Sequence, residues 1–286
     1  MEQKISKLYK EYTDGKIDRR KFLRKLTLLA GSSAAIIAIM PAIDVNDATA
    51  QIVPEDDPRL HTEMIKYPGG EGDVLAYLAK PKEGGKLPGV IIIHENKGLQ
   101  PHIKDVTRRM ALEGFVSIAP DALSPFGGTP DDLDTARSKM RELDGETTKK
   151  NFVAAVKYLK TNPNTTGKVG CTGFCWGGAM TNQVAVNAPD LSAAVPYYGR
   201  QPKVEDVPKI KASVMAHYGG TDERINAGIP EFEEALKKAK IDYKIYIYEG
   251  APHAFNNDSN PGRYHKEAAE LAWKRTISFF KEKLNA

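Results

Sequence analysis

The sequence predicts an α/β domain with a mostly parallel sheet and helices on both faces, and three observations carry that reading. Pro88-Gly89-Val90-Ile91-Ile92-Ile93-His94 is a β-branched run without alternation. Such a run marks a strand buried on both faces, as central strands of parallel sheets are. From Ile103 onward, segments with helical periodicity alternate with short strand-like runs, which is the pattern of βαβ units. Finally, Lys168 to Met180 passes from an apolar run into a helix-compatible segment through Gly173, Cys175 and Gly177, which reads as a tight strand-to-helix turn.

The elements follow in order. Residues 61–67 and 73–80 alternate apolar and polar around Pro68-Gly69-Gly70-Glu71-Gly72, predicting an antiparallel hairpin at the sheet's edge. Next come the strand ending at His94, a helix over 103–113, a strand over 115–119, helices over 131–143 and 147–160, and the strand into the Gly173 turn. Beyond the helix that follows Cys175, strands are expected at 193–197, 212–218 and 243–248, with helices at 230–240 and 264–284.

The first fifty residues form a separate object. Arg19-Arg20-Lys21-Phe22-Leu23-Arg24 precedes the uncharged stretch Leu26 to Met40 and then Ala48-Thr49-Ala50. This combination resembles a twin-arginine export signal with a small-x-small cleavage site. An uncleaved membrane anchor is the alternative, but fifteen uncharged residues fall short of the ~20 needed to span hydrocarbon. The expected division is therefore a signal peptide at 1–50 and one catalytic-sized domain at 51–286, with a periplasmic or otherwise exported location. That body carries 32 basic against 31 acidic residues, so it has no electrostatic footprint for nucleic acid. Its two cysteines, Cys171 and Cys175, sit four apart across the turn, where their side chains should diverge too far for a disulfide.

Gly173-Phe174-Cys175-Trp176-Gly177 has the form of a nucleophile elbow, in which glycines flank a central residue held in a strained conformation. The helix beginning near Trp176 aims free N–H groups at the Cys175 sulfur, an arrangement that stabilises negative charge there. A buried structural cysteine on a glycine-rich turn is the plain alternative. Asp222, in Tyr218-Gly219-Gly220-Thr221-Asp222, and His253, in Glu249-Gly250-Ala251-Pro252-His253, each follow a predicted strand. The order nucleophile, acid, histidine is that of α/β-hydrolases. Taken singly, Asp222 suits a turn or helix cap and His253 an ordinary loop. Together they provide a base for the thiol and a carboxylate to orient that base.

Gly173-Phe174-Cys175-Trp176-Gly177-Gly178, with Asp222 and His253-Ala254-Phe255, resembles the dienelactone hydrolase family over about residues 61–284. The resemblance implies an α/β-hydrolase fold and a cysteine that attacks a lactone or ester carbonyl. It also implies that Glu95 contacts the resting thiol, and that the backbone N–H groups of Asn96 and Trp176 form the oxyanion hole. A carboxylate beside a thiol opposes ionisation of the sulfur, so substrate would have to displace Glu95. The alternative for Glu95 is a structural partner of His94 or Lys97. The family's substrate-binding arginines are not matched: one position is Asn257, and the other falls near Ser124-Pro125-Phe126. Phe126 and Tyr198, with Trp176 and Tyr197, suggest a less charged, aromatic pocket or ordinary packing, while Arg200 and Arg263 are the remaining candidate cations.

The six histidines show no HExxH, H-x-H or paired-cysteine spacing, so no zinc site is expected. His94 and His217 should be satisfied by local backbone. No G-x-G-x-x-G opens a helix after a strand, so no nucleotide cofactor is expected either. The functional expectation is a cofactor-free lactone or ester hydrolase. The alternatives are a thiol acyltransferase or amide hydrolase using the same residues, and an exported non-catalytic binding or thiol-sensing protein. The expected partners are a small ester or lactone and the twin-arginine export machinery; the sequence does not set the oligomeric state. Changing Arg19 and Arg20 to Lys keeps the charge and is expected to block export, because the pair is read by a receptor. Cell fractionation checks this: mature double variant outside the cytoplasm would leave an ordinary signal or an anchor.

Overall fold

The computed structural model describes residues 51–285 together with Leu8, Glu11, Lys21 and Lys25. The features read as an export signal, namely the arginine pair, the apolar run and the cleavage site, lie outside the described residues. Among the described residues the sheet has eight strands in the order β1-β2-β4-β3-β5-β6-β7-β8. They are β1 (Leu60–Pro68), β2 (Asp73–Pro81), β3 (Leu87–Ile93), β4 (Val116–Pro120), β5 (Thr165–Phe174), β6 (Ala193–Tyr197), β7 (Ser213–Gly219) and β8 (Tyr243–Tyr248). Every pairing from β4 to β8 is parallel, and β2 alone runs against its neighbours. The expected hairpin is β1–β2, closed at Pro68 and Asp73 on the sheet's edge.

β3 lies between β4 and β5, so the chain leaves it first to one side and then to the other. The carboxyl end of such a strand is a topological switch point, where open α/β sheets bind ligands. Its run of β-branched residues feeds two cores. Ile91 and Ile93 pack with Phe152, Val156, Leu159, Val184 and Phe232, whereas Val90 and Ile92 pack with Ile103, Met110, Ala272 and Phe280. The period-two alternation of a strand, buried on both sides, thus demands apolar residues at every position.

The helices are α1 (Pro101–Leu112), α2 (Leu133–Glu142), α3 (Gly145–Thr161), α4 (Trp176–Asn187), α5 (Glu223–Asn226), α6 (Ile229–Lys238) and α7 (Lys266–Leu284). α3, α4 and α6 cover one face, and α1 and α7 cover the other. Several starts differ from the sequence expectation because side chains cap them. Asp132 and Asp144 accept from the N–H groups of Thr135 and Thr147 at 2.8 and 2.7 Å, and His265 accepts from Ala268 at the head of α7. These bonds satisfy first-turn donors that have no intrahelical partner.

Two charged residues on α1, buried side by side, were not anticipated. Asp105 accepts from the N–H groups of Ile52 and Val53, while Arg108 donates to the Val53 carbonyl, the Tyr77 hydroxyl and Gln51 Oε1. Paired in this way the charges escape the cost of lone burial, and they strap residues 51–53 to the body.

The junction of β5 and α4 is closely packed: a methyl group at Gly177 would run into the carbonyls of Ile93 and His94. Gly177→Ala is therefore expected to lower stability by about 1–3 kcal/mol, read as a lower urea midpoint at unchanged slope. Gly145 faces open space, so Gly145→Ala serves as the control. A wild-type midpoint for Gly177→Ala would mean that α4 can retreat at no cost.

Candidate active site

Cys175 links β5 to α4 with φ 57° and ψ −110°, a combination that L residues reach only at a cost of about 1–3 kcal/mol. The surroundings enforce it. Cys175 N–H donates to the Tyr197 carbonyl at 3.1 Å, and Gly173 lets the first turn of α4 close over the strand end, since a Cβ there would strike the Gly177 carbonyl. The sulfur is half-buried, at the head of a twelve-residue helix. Cys171 is also a free thiol but fully buried, its S–H donating to the Thr181 hydroxyl, and burial pushes it up to about 12. The two cysteines therefore differ in access: only Cys175 is presented.

Asp222 and His253 follow β7 and β8, and their loops are laced together. Gly220 N–H donates to the Tyr248 carbonyl at 2.7 Å, and Thr221 N–H to the Ala251 carbonyl at 3.1 Å. Asp222 stands at the N-cap of α5, the position its plain reading suggested, yet its side chain makes no capping bond. Instead Oδ2 accepts from His253 Nδ1 at 2.5 Å. That bond engages Nδ1 and leaves Nε2 as the ring nitrogen available to Cys175, which lies near enough to act on His253. Burial disfavours the imidazolium, but the hydrogen bond to Asp222 and the nearness of Cys175 outweigh it and raise His253 to about 9. The three residues singled out in the sequence thus lie together, with the Asp222–His253 hydrogen bond joining two of them.

Glu95 and Asn96 lie just beyond β3. The Glu95 carboxylate accepts from Asn257 Nδ2 at 2.9 Å, while Asn257 Oδ1 takes the N–H and hydroxyl of Ser259. His94 touches the Glu95 carbonyl and not its carboxylate. The Tyr198 ring packs on His253 at 5.1 Å. Its buried hydroxyl has no hydrogen-bond partner and is held well above the ordinary tyrosine range by burial and by nearby Glu95 and Cys175. Glu95 and Cys175 thus both lie within electrostatic range of the Tyr198 hydroxyl. Five described non-glycine residues have positive φ, and Cys175, Tyr198 and Ala254 are three of them. Backbone strain collects where the geometry is most closely fixed.

Other candidates sit elsewhere. Tyr197 is fully buried, bonded to Thr276 at 2.6 Å, so it is core. Phe126 is partly exposed under Lys139, Arg200 is exposed beyond β6, and Arg263 lies in a turn before α7. His217 corrects the expectation of backbone partners: its ring nitrogens meet Tyr248 and Thr276 hydroxyls at 2.9 and 3.1 Å. Burial and nearby Arg275 depress it to about 3. A side chain from α7, far along the sequence, supplies what local backbone does not.

Comparison with known proteins decides the family: residues 74–284 match the dienelactone hydrolase family. The chain belongs to it. A protein of Escherichia coli O157:H7 provisionally named carboxymethylenebutenolidase is 33% identical over 247 residues, covering 81% of this chain and 90% of its own. The Aquifex pyrophilus protein named usf is 36% identical, over 78% of this chain and 99% of its own. A solved structure from Klebsiella pneumoniae, provisionally described as a dienelactone hydrolase, superimposes with a TM-score of 0.71 at 29% identity, over 78% of this chain and 99% of that one. The chain is thus a dienelactone hydrolase-like hydrolase with the α/β-hydrolase fold.

Sequence reasoning noticed Asn257 only as a missing arginine. That it binds Glu95 across 162 positions had no local signal. His253 yields a pH prediction. Its folded value lies above the unfolded 6.5, so its contribution is fully present below pH 6.5 and fades as pH rises toward 9, by at most about 3 kcal/mol. The stability difference between wild type and His253→Gln should narrow over that range in urea titrations. A constant difference would mean that the folded ring is neutral throughout.

Proposed function

We propose that this chain hydrolyses a small, uncharged lactone or carboxylic ester through an acyl-cysteine intermediate. The observation that carries the reading is the hydrogen bond from His253 Nδ1 to Asp222, with Cys175 near enough to act on the same ring, at the carboxyl edge of the sheet. His253 holds the proton taken from the thiol. The sulfur attacks the carbonyl carbon, and the oxyanion is received by the backbone N–H groups of Asn96 and Trp176. On collapse the C–O bond breaks and His253 gives its proton to the leaving alkoxide. Water, deprotonated by His253, then cleaves the thioester and restores the thiol. Asp222 keeps Nδ1 protonated and supports the imidazolium throughout.

In this reading Glu95 is a brake on the sulfur, since its negative charge opposes thiolate, and Asn257 holds that brake with a neutral amide. The same amide is the reason for assigning an uncharged substrate: a guanidinium at this place would attract a carboxylate, whereas Asn257 brings no charge. The relatives' names point to lactones in their own proteins, and the class is carried over here as ester or lactone.

A burst of acylation with p-nitrophenyl acetate, followed by intact mass, tests the reading. Wild type should gain one acetyl group and Cys175→Ala none, because Cys171 is buried. Asp222→Asn should keep the fold and lose on the order of 10²–10⁴ in kcat. Acylation that survives Cys175→Ala would sink the cysteine nucleophile. Acylation without turnover across a panel of lactones and esters would favour an acyltransferase or a thiol-sensing protein.

A further inference from the structure

His94 is fully buried at the end of β3 and takes no part in the proton relay. Its two ring nitrogens nevertheless have unambiguous roles. Ala122 N–H donates to Nε2 at 3.0 Å, and a backbone N–H can only donate. Nε2 must therefore carry the lone pair, and Nδ1 the hydrogen. Nδ1–H then donates to the Glu95 carbonyl at 2.6 Å. Burial favours the neutral ring, against the pull of Asp121 and of the Glu95 carbonyl, which agrees with this tautomer.

That carbonyl belongs to the same peptide unit as the Asn96 N–H. The unit is planar and trans, so its C=O and N–H point in opposite directions. Fixing the Glu95 carbonyl on His94 thereby fixes the Asn96 N–H on the far side. A hydrogen bond accepted by the carbonyl also polarises the unit and strengthens its N–H as a donor. The other face of the imidazole lies against the Trp176 indole, with ring centres 5.4 Å apart and planes 10° from parallel. Trp176 opens α4, and the Gly177 backbone presses on the His94 carbonyl. One side chain thus touches both peptide segments that carry the oxyanion donors.

We infer that His94 is the positioning residue of the oxyanion hole: through its hydrogen bond to the Glu95 carbonyl and its stack on Trp176, it aims the Asn96 and Trp176 N–H groups at one point. The inference rests on the acyl-cysteine reading above. His94 touches no substrate and transfers no proton. Its contribution is to turn a loop peptide, otherwise free to rotate, into a fixed dipole facing the developing negative charge.

Two conservative variants of the full chain separate this role from mere packing. Asn places an amide donor at about the Nδ1 position, keeping the bond to Glu95 and losing Ala122. Gln places its amide at about the Nε2 position, keeping Ala122 and losing Glu95. Both lose the stack. For p-nitrophenyl acetate, His94→Gln should lower kcat by roughly 10–100-fold with KM little changed, short of the 10²–10³ for deleting a donor outright. His94→Asn should recover most of the difference. Iodoacetamide alkylation of Cys175, a direct displacement that builds no oxyanion, should stay within about twofold of wild type in both.

A Gln variant as active as Asn, or kcat and alkylation falling in parallel, would overturn the inference and leave His94 a structural residue. A wild type without Cys175-dependent acylation would instead remove the acyl-cysteine reading, and this inference with it. Wild-type acylation with unimpaired His94→Gln removes the inference alone.

Discussion

The site depends on one packing constraint: the first turn of α4 is pressed so closely against the ends of β3 and β5 that the residue between them must adopt positive φ. Gly173 and Gly177 make the approach possible, because any side chain there would meet backbone carbonyls. Cys175 takes the strain at φ 57°. The cost, of order 1–3 kcal/mol, is carried by the surrounding sheet, in which β3 from Pro88 and β5 from Val169 are buried to their carboxyl ends. In return the sulfur stands clear of the strand, beside free helix N–H groups, and within reach of loops from β7 and β8. A relaxed backbone would return the thiol to the sheet, where Cys171 already shows the consequence: it is fully buried, and burial holds its proton in place.

The remaining groups are held by hydrogen bonds that do not depend on the elbow. Backbone bonds between the 219–222 and 248–251 segments fix the separation of Asp222 and His253, so the short bond between them needs no adjustment. Beneath these loops, the hydroxyls of Tyr197, Thr276 and Tyr248 connect through His217, and Arg275 reaches Tyr248. Such a network is costly unless every member finds a partner. Here it ties α7 to the ends of β6, β7 and β8, the strands that carry Tyr198, Asp222 and His253.

Charge is arranged with similar economy. His253 carries its proton well above neutrality because Asp222 and Cys175 face it, and the Glu95 carboxylate is met by an amide and not by a cation. The loop that supplies this amide is itself anchored, since Asp258 pairs with His102 and Arg109 of α1 at 3.0 and 2.7 Å. Arg109 also pairs with Asp105, which holds the strap at residues 52 and 53. The neutral amide at Glu95 and the start of the folded body therefore share one set of buried charges on α1.

What the sequence determined by itself is what local rules encode. Periodicity separated strands from helices, an unbroken β-branched run identified β3 as central, and glycine spacing located Cys175 on a strand-to-helix turn. The order of Cys175, Asp222 and His253 placed them at one edge, because in a parallel α/β sheet every strand ends on the same side. Helix ends were less legible, since caps such as Asp132, Asp144 and His265 act through single side-chain bonds that leave no periodic trace. Only the tertiary structure decided the rest: that Asp222 bonds His253 and not its own helix, that Asn257 holds Glu95, that Tyr197 bonds Thr276 in the core while Tyr198 packs on His253, and that His217 bonds side chains and not local backbone. Each of these is a contact between residues tens to more than a hundred positions apart. No rule of spacing reaches so far, because such contacts are set by how the layers pack and which buried polar groups must then find partners.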